Sequence, residues 1–331
     1  MKIIKLVLIF YFLFQSIAIA NDDNFTEWLI KFKERALNEG ISTETVNLVM
    51  NEAKFLPKVI EYDRYQPEFY EDTSTYINKR VTKSKIEKGL NLYKKRKQTI
   101  DTVEKEFSVE KELLIALMGI ETNYGKYLGK MDIISSLATL SFDQRRSEFF
   151  TKELIILLNL IDKEIINPSI LFGSWAGAFG NFQFMPRTIK NYAIDYDSNS
   201  IIDLKNIEDS FASAANYINK IGWKKNRPCF FEIELNENIP NDYLNKSAKS
   251  IKNKKKFSFY SKYIINHESL NVNKNTYVAI VTPDSDIIPD SNLLSPAYVV
   301  FENYEKVLKW NRSLRFALAV CTLKNKLKNE L

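Results

Sequence analysis

Residues Leu113–Gly125, LLIALMGIETNYG, decide the fold. The run Leu113 to Ile120 is apolar on every side, and a helix of that kind has to be enclosed by others. Glu121 follows at its end. An ionised carboxylate is costly to bury, so Glu121 needs a partner or a raised pKa. A carboxylic acid kept protonated near neutral pH is what general acid work on a glycosidic bond requires. The alternative for a single Glu is that it caps the helix or pairs with a nearby base.

Outward from this segment the chain reads mostly as helix. Ser108 reads as an N-cap, with Glu110 in the first turn of the helix Val109 to Ile120. Before it, Phe25 to Leu37 and Thr43 to Ala53 are short amphipathic segments, and Lys85 to Phe107 reads as one long charged helix. After it, Ser147 to Ile166 carries the apolar stripe Phe149, Leu154, Leu157, Leu158 and Ile161. Ile170 to Met185 differs: Gly173, Gly177 and Gly180 argue for a loop with close backbone approach, and Pro186 suits a first helical position. Ser210 to Ile221 is helical again and stops at Gly222.

Beyond Gly222 the period changes. Cys229 to Leu235, Tyr277 to Val281 and Ala297 to Phe301 read as strands, with a solvated Lys-rich stretch around Lys249 to Lys256 between them. Helices Tyr304 to Trp310 and Leu314 to Lys328 close the chain, broken at Asn311. The expected organisation is a signal peptide at 1–20, an N-terminal helical region at 21–107 and a catalytic core at 108–223. A small β-containing insertion follows at 224–302, and C-terminal helices at 303–331 pack back on the core. The fold class is mainly α, with a small β-containing subdomain.

The first twenty residues read as a secretory signal: Lys2 and Lys5, the apolar run Leu6 to Phe14, and the small-x-small site Ala18-Ile19-Ala20. That apolar run is too short to span a bilayer, which takes about 20 residues. No Cys lies near the cleavage site, so a soluble periplasmic protein is expected. Without Lys2 and Lys5, 45 basic residues face 41 acidic ones, a balance of +4. That is too mild and too dispersed to argue for nucleic acid. With 22 Phe and 17 Tyr the chain can fill a large core or line a sugar groove. His267, in a polar stretch, is the only histidine, which argues against a Ser-His-Asp enzyme and a His-rich zinc site. An exported chain permits a disulfide between Cys229 and Cys321; spacing does not settle it, and the apolar helix FALAVCTL around Cys321 favours two separate thiols.

Four segments carry a resemblance: Gly119–Phe150, Gly173–Asp197, Asp209–Trp223 and Lys309–Val320. ETNYG after an apolar helix, LATLSF before the pair Arg145–Arg146, and GSWAGAFGNFQFMP resemble, in order and spacing, the lytic murein transglycosylase B family, glycoside hydrolase family 103. The resemblance implies a lysozyme-like helical core, similar to goose-type lysozymes. It implies cleavage of the MurNAc–GlcNAc bond of peptidoglycan without water, leaving 1,6-anhydro ends, with Glu121 as acid and then base. Paired-carboxylate glycosidases need a second acid, and these segments supply none in an obvious place: Asp132 and Asp143 are available, each in a local polar context. A hydrolytic muramidase and a non-catalytic wall-binding protein are the alternatives.

The supporting residues follow from the resemblance one at a time. Ser174 would orient Glu121 or an acetamido group, Gln183 would donate to and accept from sugar, and Phe184 would lie along the groove. Arg145 and Arg146 would bind the muramyl peptide or its carboxylate, or form a helix-entry salt bridge. Tyr217 and Tyr76 match groove tyrosines, although Tyr76 also reads as a plain surface residue. Asn311 matches a family Asn. Trp310 stands where the family commonly has Tyr, which keeps an aromatic face and loses a hydroxyl. Asp195, Asp197, Asn199 and the Ile201 carbonyl follow positions one, three, five and seven of a calcium loop. Ser200 replaces the usual Gly and Asn206 the final acid, so weak calcium binding or a plain polar turn is expected and no cofactor is required. Peptidoglycan strands are the expected partner, with wall-synthesis or wall-hydrolysis proteins as the class of protein partner.

Overall fold

In the computed structural model the described residues are 24–65, 70–285 and 294–331. The expected signal sequence lies outside them. No described helix is long and apolar enough to cross a membrane. The elements are, in order, helices α1 (24–38), α2 (Thr43–Met50), α3 (Pro57–Arg64), α4 (Thr73–Arg80), α5 (Lys83–Lys95), α6 (Lys97–Phe107) and α7 (Lys111–Thr122). Strand β1 (Met131–Asp132) leads into α8 (Ile133–Phe142) and α9 (Ser147–Asp162), then β2 (Phe172–Gly173), α10 (Pro186–Tyr192) and α11 (Ile207–Lys220). Strands β3 (Phe230–Ile233), β4 (Leu244–Asn245) and β5 (Lys255–Lys256) precede the short α12 (Phe257–Tyr260). Strands β6 (Tyr277–Val281) and β7 (Ala297–Val300) precede α13 (Glu302–Trp310) and α14 (Leu314–Glu330). The lysozyme-like, mainly helical class expected from the sequence is the one observed.

The chain forms two compact units, each built from several segments. The smaller takes residues 24–65, 128–191 and 197–203. Its α8 packs on α9 and α3. The α8 hydroxyls are used across the packing: Ser135 accepts from the Lys54 N–H at 3.0 Å and Thr139 from the Leu56 N–H at 3.0 Å. Phe25, Phe55 and Phe142 form a ring cluster with centroids 5.5–5.6 Å apart.

The larger unit takes 66–127, 192–196 and 204–331. Every residue from Leu113 to Gly119 of α7 is buried, enclosed by α14, α5, α6 and α11. Lys85 to Phe107, expected as one helix, is two. Arg96 leaves helical geometry at φ −123°, ψ 24°, and its N–H is taken by the Leu92 and Tyr93 carbonyls. The break lets α6 pack on α11 while α5 packs on α7 and α14. Ser108 is not the N-cap of α7. It adopts φ +54° and ends α6, and Glu110 occupies the N-cap. The Glu110 carboxylate is buried and accepts from the Trp223 indole at 2.5 Å and the Asn226 N–H at 3.0 Å.

The sheet runs β3-β7-β6-β4, with β5 also on β6. Only the β4–β6 pairing is parallel. Its apolar face packs Ile233, Val278, Ile280 and Val299 against Phe257, Tyr260 and Ile264. The strand expectations for Tyr277 to Val281 and for Ala297 onward match β6 and β7, and α11 ends as expected before Gly222 at φ +91°.

The two cysteines are not separate thiols. Cys229, next to β3, is bonded to Cys321 inside α14, with Cα atoms 6.2 Å apart. Burial of both residues reads equally well as core, which is why their spacing did not reveal the bridge. The bond closes a chain segment of 92 residues, and loops of that length contribute about 2–5 kcal/mol by restricting the unfolded chain. Cys321→Ser is expected to lower unfolding stability by that amount in denaturant titration, and reduction of the wild type by a similar one.

Candidate active site

Glu121 sits in the last turn of α7, half-buried, where the enclosed part of the helix emerges. The chain then takes three consecutive left-handed residues, Asn123 (φ +50°), Tyr124 (φ +62°) and Gly125 (φ +79°). This turn is held from inside. The Thr122 hydroxyl donates to the Met118 carbonyl at 3.1 Å and accepts from the Gly125 N–H at 3.0 Å. Tyr124 folds back over the helix and its hydroxyl donates to the Lys85 carbonyl at 2.8 Å. A Cβ at Gly119 or at Gly89 would stand 2.7 Å from that hydroxyl, so both glycines exist to admit the ring. Burial pushes the Tyr124 phenol upward, which keeps it neutral and donating.

The Glu121 carboxylate has an aromatic holder. The Trp310 indole N–H, at the end of α13, donates to Glu121 Oε1 at 2.9 Å. Trp310 is fixed in a three-ring stack. Its ring lies 5.0 Å from Tyr217 on α11, and Tyr217 lies 4.3 Å from Tyr192. The Tyr217 hydroxyl donates to the Lys309 carbonyl at 3.0 Å. Burial first, and Tyr192 second, push that phenol up to about 12. Around Glu121 opens a cleft of about 320 Å³, lined by Lys79, Lys85, Lys88, Asn123 and Tyr127. Among its described lining residues Glu121 is the only acid. Burial, then Arg80 and Lys88, hold the Lys85 ammonium below its usual range. The cleft therefore offers one carboxylate with a fixed donor, facing a cationic wall suited to an anionic polymer.

In the smaller unit the glycine-rich segment is a set of tight turns. Gly173 pairs with Met131 in the β1–β2 ladder, and a Cβ there would stand 2.3 Å from the Ala178 carbonyl. Ser174 Oγ accepts from the Ala178 N–H at 3.1 Å. Gln183 adopts φ +51° and its amide nitrogen donates to the Gly180 carbonyl at 3.0 Å and the Leu128 carbonyl at 3.3 Å. Its Oε1 accepts nothing among the described residues, so it is available to a ligand.

Residues 24–325 match a family described as the Transglycosylase SLT domain. The chain belongs to the transglycosylase SLT domain family. It is 35% identical over 151 residues to the membrane-bound lytic murein transglycosylase B of Escherichia coli strain K12. That stretch covers 45% of this chain and 42% of the relative, under half of either length. The fold is similar to SltB3 of Pseudomonas aeruginosa solved with NAG-anhNAM-pentapeptide, at TM-score 0.80 and 28% identity, covering 92% of this chain and 79% of that one. It is also similar to the Slt35 lytic transglycosylase of Escherichia coli in complex with calcium, at TM-score 0.75 and 24% identity over 94% of each chain.

Several residues expected to face substrate in this SLT-domain chain make structural contacts. Arg145 and Arg146 both bind Asp63, which is 2% exposed. Arg145 Nε lies 2.7 Å from the carboxylate, and Arg146 contacts its other oxygen. Both arginine side chains stay partly exposed while making this salt bridge. Phe184 is not along a groove: it is 2% exposed, and its backbone bridges to Phe179. Tyr76 is buried, with the Arg80 guanidinium 3.5 Å from its ring centre, so it is neither a groove face nor a surface tyrosine. Tyr217 has both faces stacked, and it supports Trp310 where a free face was expected. Asn311 ends α13 by backbone bonding, and its side chain makes no hydrogen bond among the described residues. Trp310 lacks the hydroxyl of a Tyr, and its indole N–H supplies a donor at this position.

Asp195 lies in the larger unit beside Asp209, their carboxylate oxygens within 4.8 Å. Asp209 is fully buried and accepts from the Tyr196 N–H at 2.8 Å. In the smaller unit Asp197 accepts from the Asn199 N–H at 3.2 Å and Asn199 from the Ile201 N–H at 2.9 Å. Ser200 takes φ +74°, the conformation for which calcium loops use Gly. Asn206, at the final loop position, caps α11 by accepting from the Glu208 N–H. Sequence reading missed Tyr192, at the end of α10, and Asp209, outside the loop's spacing. Neither has a local signal.

Proposed function

We propose that this SLT-domain chain is a periplasmic lytic transglycosylase. It cleaves the MurNAc–GlcNAc β-1,4 bond of peptidoglycan without water. The observation that carries the reading is the lone, donor-held Glu121 in a cleft walled by lysines. Of the other acids in the motif segments, Asp132 caps α8, Asp143 pairs with Arg64 at 2.8 Å and Glu148 pairs with Lys152.

Protonated Glu121 gives its proton to the glycosidic oxygen as the C1–O bond breaks. The resulting carboxylate takes the proton of the muramic O6 hydroxyl, and O6 attacks C1 to close the 1,6-anhydro ring. Glu121 returns protonated, so one acid serves both steps. Trp310 keeps Oε1 oriented throughout, and Asn311, next to it, offers an amide to sugar. Expected partners are peptidoglycan strands and, with them, proteins of wall synthesis or hydrolysis.

Glu121→Gln is expected to lower muropeptide release from purified sacculi by about a thousandfold. Wild-type products should carry anhydro ends by mass spectrometry. Reducing ends would establish a hydrolytic muramidase, and binding without release a wall-binding protein. Trp310→Phe keeps the ring stack and removes the donor. A hydrogen bond to a charged group is worth about 1.5–3 kcal/mol, so turnover should fall about tenfold or more while thermal stability holds.

The Asp195 loop offers only oxygen donors, the set a hard cation requires, and lacks the final acid. We infer weak calcium binding that supports the loop and takes no part in catalysis. With a dissociation constant of about 1 mM, 10 mM calcium would stabilise the chain by about 1.4 kcal/mol. Thermal unfolding should show this rise, and Asp195→Asn should abolish it.

A further inference from the structure

A second cleft, of about 750 Å³, opens in the larger unit at the end of the sheet where β3 and β6 begin and β7 ends. It shares no lining residue with the Glu121 cleft. Its volume lies in the range of pockets that take small ligands. The apolar part of the lining is Phe231, Val278, Ala279, Val300 and Phe301. Asn271 and Thr276 add polar edges.

The rim carries two cations on a locked turn. Lys224 and Arg227 are exposed, and neither forms an ion pair among the described residues. Their backbone is clamped by Asn303, which is fully buried. The Asn303 amide nitrogen donates to the Lys224 carbonyl at 2.8 Å and the Arg227 carbonyl at 3.0 Å. Its oxygen accepts from the Lys224 N–H at 2.9 Å. Asn226 between them takes φ +62°, and its N–H is held by buried Glu110 at 3.0 Å. Two buried side chains thus hold one exposed turn in a fixed shape, which lowers the ordering cost of binding. The rim acids are already matched: Glu302 pairs with Lys306 at 2.9 Å and Glu305 with Lys254 at 2.7 Å. Lys306 first, with Lys224 and Lys254 at longer range, holds the Glu302 carboxyl below its usual range. The rim is left net positive.

We propose that this cleft binds the stem peptide of peptidoglycan, with Lys224 and Arg227 taking its free carboxylates. The inference rests on the peptidoglycan reading of the chain and adds a subsite to it. A stem peptide combines what the lining complements: carboxylates for the cations, alanine methyls for the apolar floor, and amides for Asn271 and Thr276. A bare glycan has no carboxylate on its GlcNAc units and seeks open aromatic faces. A polyphosphate would leave the apolar floor of Phe231, Val278 and Val300 without a complement.

The test is titration of the free pentapeptide L-Ala-γ-D-Glu-meso-diaminopimelate-D-Ala-D-Ala, with no sugar, into the full chain. Binding is followed by calorimetry and by amide NMR shifts. Wild type and Glu121→Gln should bind equally, with shifts at residues 224–228 and 271–279. Lys224→Ala with Arg227→Ala should weaken binding at least about tenfold, one lost charge contact being worth that much. The melting temperature should stay unchanged, and Lys224→Arg should keep most of the affinity. Equal binding by the double variant, shifts confined to the Glu121 cleft, or no binding by wild type would overturn the proposal. The peptide readout needs no turnover. Peptide binding without sacculus cleavage would therefore sink the enzymatic reading alone, and cleavage without peptide binding would sink this subsite alone.

Discussion

Enclosure of one apolar helix governs the larger unit. α7 has no polar face, so it is stable only when other helices cover it on every side, and α14, α5, α6 and α11 do so. Everything at the site follows from where that cover stops. The last turn of α7 emerges from the packing with Glu121 on it. The left-handed turn at Asn123–Gly125 then carries the chain away without continuing the helix. Tyr124, seated over Gly119 and Gly89, pins the turn to the backbone of α5. A larger residue at either glycine would displace the ring and loosen the carboxylate's platform.

The same packing creates the holder for that carboxylate. α13 meets α14 in the larger unit, and its last residue is Trp310. Three stacked rings restrict the indole, and the indole restricts Glu121. An acid that gives and then retakes a proton needs its oxygens held in one geometry through both steps. Stacked rings do this at low entropic cost because aromatic side chains have few rotatable bonds. The Cys229–Cys321 bond and the buried Arg315–Asp284 pair, at 2.7 Å, tie α14 to other parts of the larger unit.

The cationic character of the molecule is local. A balance of +4 over residues 21–331 says little, yet Lys79, Lys85 and Lys88 line one cleft and Lys224 and Arg227 another. Arg145 and Arg146 show the opposite case. Two adjacent arginines that look made for an anionic ligand both pair with one buried carboxylate, Asp63. A buried acid left unpaired would be costly, and the chain meets that demand first.

By itself the sequence determined the helical class, the strands at Tyr277–Val281 and Ala297 onward, and the family. It also singled out Glu121. Those features are periodic or local, so they are legible without contacts. Tertiary structure alone decided which residues surround Glu121. Trp310 is 189 positions away along the chain, and its role as donor depends on a rotation and a distance that no spacing encodes. The same reason hid the disulfide, the pairing of both arginines with Asp63, and the burial of Tyr76 and Phe184. Each is a choice among distant partners, made by packing after the local elements have formed.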